Sequence, residues 1–173
     1  DYEGQVAAMN VKPLTAAALA GLLRPMLAEV NMVSAPAVLK ERGTTLTESK
    51  REISPTYDSI IRIKVKTGGS WRTVAGAVIA GAPKIVEVKG MSLEAAFHPL
   101  MLYVNNSDKP GFIGALGTIL GQAQVNIATF NLGRVAAGED AVALVGVDQK
   151  LSEATEAAIK ALPQVRYVRV LAF

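Results

Sequence analysis

Polar and apolar residues alternate most clearly in the first half of the chain, where Ile61, Ile63 and Val65 interleave with Arg62, Lys64 and Lys66. A period of two predicts a strand with one buried and one wet face over Tyr57 to Lys66. Turns at Thr67-Gly68-Gly69-Ser70 and Gly81-Ala82-Pro83 separate it from strands over Trp71 to Ala80 and Lys84 to Lys89, giving an antiparallel meander with helices on its other side. Ahead of the meander the pattern predicts a short strand over Gly4 to Asn10. A helix apolar on nearly every side comes next over Thr15 to Val30, with a kink or break at Pro25. A second helix is predicted over Asn31 to Arg42, with Ser34 as its cap, Pro36 in its first turn and Gly43 as its stop. Thr44 to Glu48 reads as a short strand, Ser49 to Thr56 as a surface loop, and Gly90 to Pro99 as the linker to the second half of the chain.

From His98 the pattern changes. Leu100 to Val104 is an apolar strand, Asn105 to Gly111 a polar loop, Phe112 to Ala123 a helix, and Val125 to Leu132 a second strand. A turn at Ala136-Ala137-Gly138-Glu139 leads by a hairpin into Asp140 to Asp148, where Ala141, Ala143, Val145 and Val147 alternate with Val142 and Leu144. Ser152 caps a helix with Glu153 and Glu156 early and Lys160 late, as the helix dipole favours, and Pro163 ends it before a last strand over Val165 to Phe173. Strand, helix, strand, strand, helix, strand is the ferredoxin-like order, with two helices on one face of a four-stranded antiparallel sheet. The fold class is therefore α+β, with one domain over residues 1–97 and a βαββαβ domain over 98–173.

Composition narrows the functional classes. At 173 residues and 50% hydrophobic the chain can bury a real core. The absence of cysteine removes disulfides, thiolate nucleophiles and cysteine metal sites, and the single His98 builds no metal cluster. A net charge of +3, from 18 scattered basic and 15 acidic residues, argues against a nucleic-acid partner. No apolar run reaches the roughly 18 to 20 residues needed to span a bilayer, and no signal segment opens the chain, so no membrane partner and a cytoplasmic location are expected. The chain starts at Asp1 without a methionine and soon enters a strand, from which we expect a piece of a longer protein.

No nucleophile, paired base or metal constellation is present, so no catalytic residue is assigned. Within the helix opened by Gly111, Phe112, Leu116, Ile119, Leu120 and Ala123 form the stripe expected to face the sheet, while Gly114, Gly117 and Gly121 lie on another face. Three glycines at about 1 kcal/mol each point to a close approach by a second subunit or a neighbouring domain, or else to a marginal helix. Gly111-x-x-Gly114-x-x-Gly117 does not match a dinucleotide loop or a Walker loop. At the helix mouth Asp108 could face one small cavity with Asn106 and Asn126. The carboxylate would match an ammonium, the asparagines offer donors and acceptors, and free helix amides would hold a carboxylate, a set suited to an amino acid zwitterion. By residue type alone the plainer assignment stands beside it, with Asp108 capping the helix and Asn126 in a turn. Arg62, Lys64, Lys66 and Arg72 are expected to form a solvated basic sheet face.

Asn-Ser-Asp-Lys-Pro-Gly-Phe-Ile-Gly at 106 to 114, followed by Val125-Asn126-Ile127, resembles the signature of ACT regulatory domains. Leu14 to Arg24, Val33-Ser34-Ala35-Pro36-Ala37 and Ser70 to Val88 resemble the intervening, allosteric substrate-binding domain of long-form D-3-phosphoglycerate dehydrogenases, and the order of the two domains also matches. The resemblance implies the C-terminal regulatory part of such an enzyme, cytoplasmic and acting in L-serine biosynthesis, without cofactor in this segment and with NAD in the parent oxidoreductase. It implies L-serine as feedback effector between two ACT domains, held by Asn106, Asp108 and Asn126 with Pro110 and Gly111 shaping the turn. It further implies a homo-oligomer, a dimer through the ACT domains within a parent tetramer. Lys84 and Lys89 match basic positions of the family's second, anion-binding site, while Met91 and Ala96 stand where further basic residues would be. The corresponding segment of an iron-sulfur L-serine dehydratase, and a module for assembly alone, are the alternatives.

Overall fold

The computed structural model describes residues 1–173 and builds them into two sheets. The first contains β1 (Tyr2–Gly4), β2 (Lys50–Arg51), β3 (Ser59–Thr67), β4 (Ser70–Ile79), β5 (Ala82–Val88) and β6 (Met91–Ala96), in the order β2-β1-β3-β4-β5-β6. Between β1 and β2 run a 3-10 turn at Gln5–Ala8 and the helices α1 (Lys12–Leu23) and α2 (Ala35–Glu41). The second sheet belongs to β7 (Leu100–Ser107), α3 (Phe112–Gln122), β8 (Ile127–Arg134), β9 (Asp140–Val147), α4 (Glu153–Lys160) and β10 (Val165–Ala172). Its order, β10-β7-β9-β8 with every pair antiparallel, is the ferredoxin-like arrangement, so the α+β reading holds. No helix is long and apolar enough to cross a membrane.

Several elements differ from the sequence expectation. Gly4 to Asn10 is not a strand: pairing stops at Gly4, and the chain turns through Gln5–Ala8. Helix α1 does not continue to Val30 with a kink but ends at Leu23, because Pro25 has no N–H to extend the ladder and turns take over. Helix α2 starts at Ala35, four residues later than expected, and the Ser34 side chain makes no cap. Asn31 Oδ1 instead accepts from the amides of Val33 and Ser34 at 2.9 and 3.1 Å. Thr44 to Glu48 forms no strand, and only Lys50–Arg51 pairs there, parallel to β1. Gly90 to Pro99 is not a linker: Met91, Leu93 and Ala95 are buried at alternate positions of β6, leaving only Phe97 to Pro99 between the sheets. Asn105 to Ser107 extend β7, and Asn105 and Asn106 are buried. The strand expected from Val125 starts at Ile127 and runs on to Arg134.

Burial on both sides explains why β9 reads as unbroken apolar sequence, since every residue after Asp140 is buried. On one side Leu102, Val104, Val145 and Val147 pack beneath Phe112, Leu116, Leu120 and Ile159 of the two helices. On the other side Met101, Val142 and Leu144 pack against Ile85, Val88, Met91, Leu93 and Ala95 of the first sheet, which joins the two sheets through a single core. The fit is close at Gly133, where a Cβ would lie 2.8 Å from the Ser92 carbonyl oxygen. Tyr103 lies at this joint, edge-on to Tyr167 with centroids 6.0 Å apart, and burial raises its phenol above the ordinary tyrosine pKa.

The expected basic face is divided. Register pairs Arg72 with Val65, so Arg72 projects from the face opposite Arg62, Lys64 and Lys66. Arg62 is also not free: it bridges Glu3 on β1 and Glu87 on β5, and the Glu87 hydrogen bonds raise its pKa further. Lys64 pairs with Asp1 at 2.6 Å.

Candidate functional site

A cavity of about 540 Å³ opens where β7 ends, α3 begins and the β8–β9 hairpin turns back. Two hydrogen bonds tie the loops together. The Asp108 amide donates to the Glu139 carbonyl at 2.7 Å, and the Gly138 amide donates to the Asp108 carbonyl at 3.1 Å. Gly111 enters α3 at φ +91, a conformation that glycine adopts without strain, and no side chain caps the helix. Asp108 is therefore not a helix cap. The first-turn amides at Ile113 and Gly114, both lining the cavity, are left to whatever enters it.

Asp108 instead accepts from Arg134, Nη1 to Oδ2 at 2.7 Å. Register makes this possible: Arg134 pairs with Ala141, Ala141 pairs with Asn106, and Asp108 lies two residues further on. Arg134, Lys109 and the helix N-terminus outweigh one carboxylate, so the rim favours an anionic group, while Asp108 remains to receive a donor. Asn106, two residues earlier in β7, does not line the cavity. Only 1% exposed, it donates through Nδ2 to the Ser107 carbonyl at 3.0 Å, and its Oδ1 is buried without a partner. Such an orphan acceptor costs about 1–3 kcal/mol and is satisfied by a ligand or a water.

Within one chain the three expected residues do not converge. Asp108 lines the cavity with Pro110 and Gly111, Asn106 is buried in β7 outside its lining, and Asn126 precedes β8 at the far end of α3, which at 11 residues is roughly 16 Å long. There Asn126 Nδ2 donates to Asp148 Oδ2 at 2.6 Å, and its amide donates to Gln149 Oε1 at 2.7 Å. Lys84 and Lys89 also lie apart, one in β5 and one in the turn beyond it, where Lys89 has φ +54; Lys84 is 3.4 Å from Glu94. Arg134 escaped sequence reasoning because it ends a strand not adjacent to β7. The sheet order was needed to bring it level with Asp108.

No histidine or second carboxylate lines the cavity, and no group of three His, Cys, Asp or Glu side chains that could hold a metal ion occurs. Residues 1–89 match the family model of the D-3-phosphoglycerate dehydrogenase intervening domain. Over 98% of its length the chain is 32% identical to a D-3-phosphoglycerate dehydrogenase of Bacillus subtilis and 30% identical to one of Methanocaldococcus jannaschii. Over 91% it is 34% identical to that of Mycobacterium tuberculosis. The chain spans about a third of the length of these relatives, 33%, 32% and 31% respectively.

Proposed function

The chain belongs to the D-3-phosphoglycerate dehydrogenase intervening-domain family, and from that premise we propose that it is the regulatory segment of an NAD-dependent phosphoglycerate dehydrogenase of L-serine biosynthesis. Residues 1–97 are its intervening domain, and residues 98–173 are an ACT domain that holds L-serine between two copies of the chain. The parent is a cytoplasmic homo-oligomer, a tetramer in which ACT domains pair.

One observation carries the reading: the cavity lies at the start of α3 and the exposed Asn126 beyond its end, and a Cβ at Gly114, Gly117 or Gly121 between them meets nothing within 4 Å. A two-fold axis perpendicular to α3 and beside its midpoint lays the α3 helices of two copies antiparallel, so Asp108 of one copy meets Asn126 of the other. The serine carboxylate is received by the first-turn amides and Arg134, the ammonium by Asp108, and the hydroxyl by Asn126 of the partner copy. Serine then favours the paired arrangement by its difference in affinity between arrangements, and a coupling of about 1–3 kcal/mol is enough to slow a distant active site.

We assign NAD to the parent enzyme and not to this segment, because Gly111 follows a strand of an antiparallel sheet, opens no parallel βαβ unit and lacks the G-x-G-x-x-G spacing. Lys84 and Lys89, being separated, serve an anion only as peripheral charges. The test is calorimetric titration with L-serine, with D-serine and glycine as controls, run beside sedimentation. Stereoselective binding that tightens self-association supports the proposal. An intact dimer that binds no serine leaves only an assembly module.

A further inference from the structure

The far end of α3 holds a chain of side chains that the effector reading does not use. Asp148 Oδ2 accepts from Asn126 Nδ2 at 2.6 Å, and the Asp148 amide donates to the Asn126 carbonyl at 3.2 Å. The other carboxylate oxygen, Oδ1, lies 3.6 Å from His98 Nε2. His98 sits in the three-residue passage between the sheets, with Nδ1 3.1 Å from the Leu100 carbonyl. Its Cβ and Cγ lie against Gly146 of β9, where an added Cβ would come within 3.1 Å of both, and the adjacent Phe97 stacks edge-on with Phe173 at 5.3 Å.

An asparagine amide offers a donor face and an acceptor face, and its partners decide which is presented. Because Nδ2 is engaged by Asp148, the outward face of Asn126 is its carbonyl oxygen, which recognises a hydroxyl or an ammonium and rejects a carboxylate. We propose that Asp148 is the positioning residue that fixes the Asn126 amide with its oxygen outward, and that His98 ties Asp148 to the passage between the sheets, so that occupancy at Asn126 is felt at the joint. This role deepens the effector reading and rests on it for the ligand's identity. The link from Asn126 to His98 stands without any ligand.

His98 is the only histidine of the chain, so its ring proton resonances are unambiguous. In the full chain without ligand, Asn126→Ala is expected to shift the His98 resonances, and unchanged resonances overturn the link whether or not serine binds. With L-serine the wild-type His98 signal is expected to move. Asp148→Ala is expected to weaken serine binding about 10-fold, the scale of a lost hydrogen bond to a charged group. Asp148→Asn keeps an acceptor for Asn126 Nδ2, so it is expected to restore serine affinity, whereas Asp148→Ala, which leaves neither Asn126 nor His98 a partner at this position, is expected to abolish the His98 response even at saturating L-serine. Wild-type affinity in Asp148→Ala overturns the positioning role, and a full His98 response at saturating L-serine in Asp148→Ala overturns the tie to the joint. If the wild type binds no serine, the effector reading fails on its own, and the ligand-free comparison still decides the link.

Discussion

Replacing Gly117 by alanine separates what the helix needs from what the assembly needs. Gly117 lies within α3, where alanine stabilises a helix over glycine by about 0.5–1 kcal/mol. A Cβ built at this position meets nothing within 4 Å, and the same holds at Gly114 and Gly121, so no clash inside the chain offsets the gain. The dilute chain is therefore expected to melt higher; for a chain of this size 1 kcal/mol corresponds to about 2–4 °C. In a two-fold pair built on this face each methyl appears twice against a closely packed partner, and overpacking of that kind costs about 1–3 kcal/mol. Association should weaken by about 5-fold to 150-fold. Thermal melts at a concentration below self-association, with sedimentation equilibrium above it, read the two effects separately. A dilute chain destabilised by Gly117→Ala would refute the open face. A raised melting temperature with unchanged self-association would refute close approach through the glycines and place the copies' contact elsewhere.

Three further outcomes are expected. Gly133→Ala puts a methyl 2.8 Å from the Ser92 carbonyl oxygen and should destabilise the chain by about 1–3 kcal/mol, with faster amide exchange over Met91–Ala96; unchanged exchange there contradicts the joint between the sheets. Arg134→Ala removes a side chain that is 57% exposed, so stability should change by no more than about 1 kcal/mol while L-serine binding is lost; retained binding excludes Arg134 from the site. Because burial raises the folded Tyr103 pKa above its unfolded value, the unfolded chain releases that proton first as pH rises, so stability is full below about pH 10 and declines above it. Tyr103→Phe should flatten that decline in denaturant titrations, and an identical profile contradicts the buried phenol.

Periodicity reached the elements whose burial is one-sided or complete, and it failed where pairing depends on distant chain. The Ser152 cap was readable because its partner, the Thr155 amide at 3.1 Å, is three residues away. Strand β6 was mistaken for a linker because Gly90 and Pro99 flank it; only docking on the second sheet shows why Met91, Leu93 and Ala95 alternate. Thr44 to Glu48 has strand-like composition but no neighbour to pair with. The segment is exposed throughout, and its Glu48 carboxylate accepts from the Thr15 hydroxyl. The site shows the same division. Asp108, Pro110 and Gly111 stand together in sequence as they do in space. Arg134, by contrast, required the sheet order, and the separation of Asn126 from Asp108 required the direction of α3.

A site shared between two copies makes a demand that no site within one chain can meet. Asp108→Ala and Asn126→Ala chains should each bind no L-serine alone. Co-expressed and purified together, they form mixed dimers in which one of the two sites draws its Asp108 from one copy and its Asn126 from the other. For random pairing, calorimetry should then recover about a quarter of the wild-type sites at wild-type affinity. If the mixture binds no more serine than its separate components while mixed dimers are present, the shared site is contradicted and with it the proposed regulatory role.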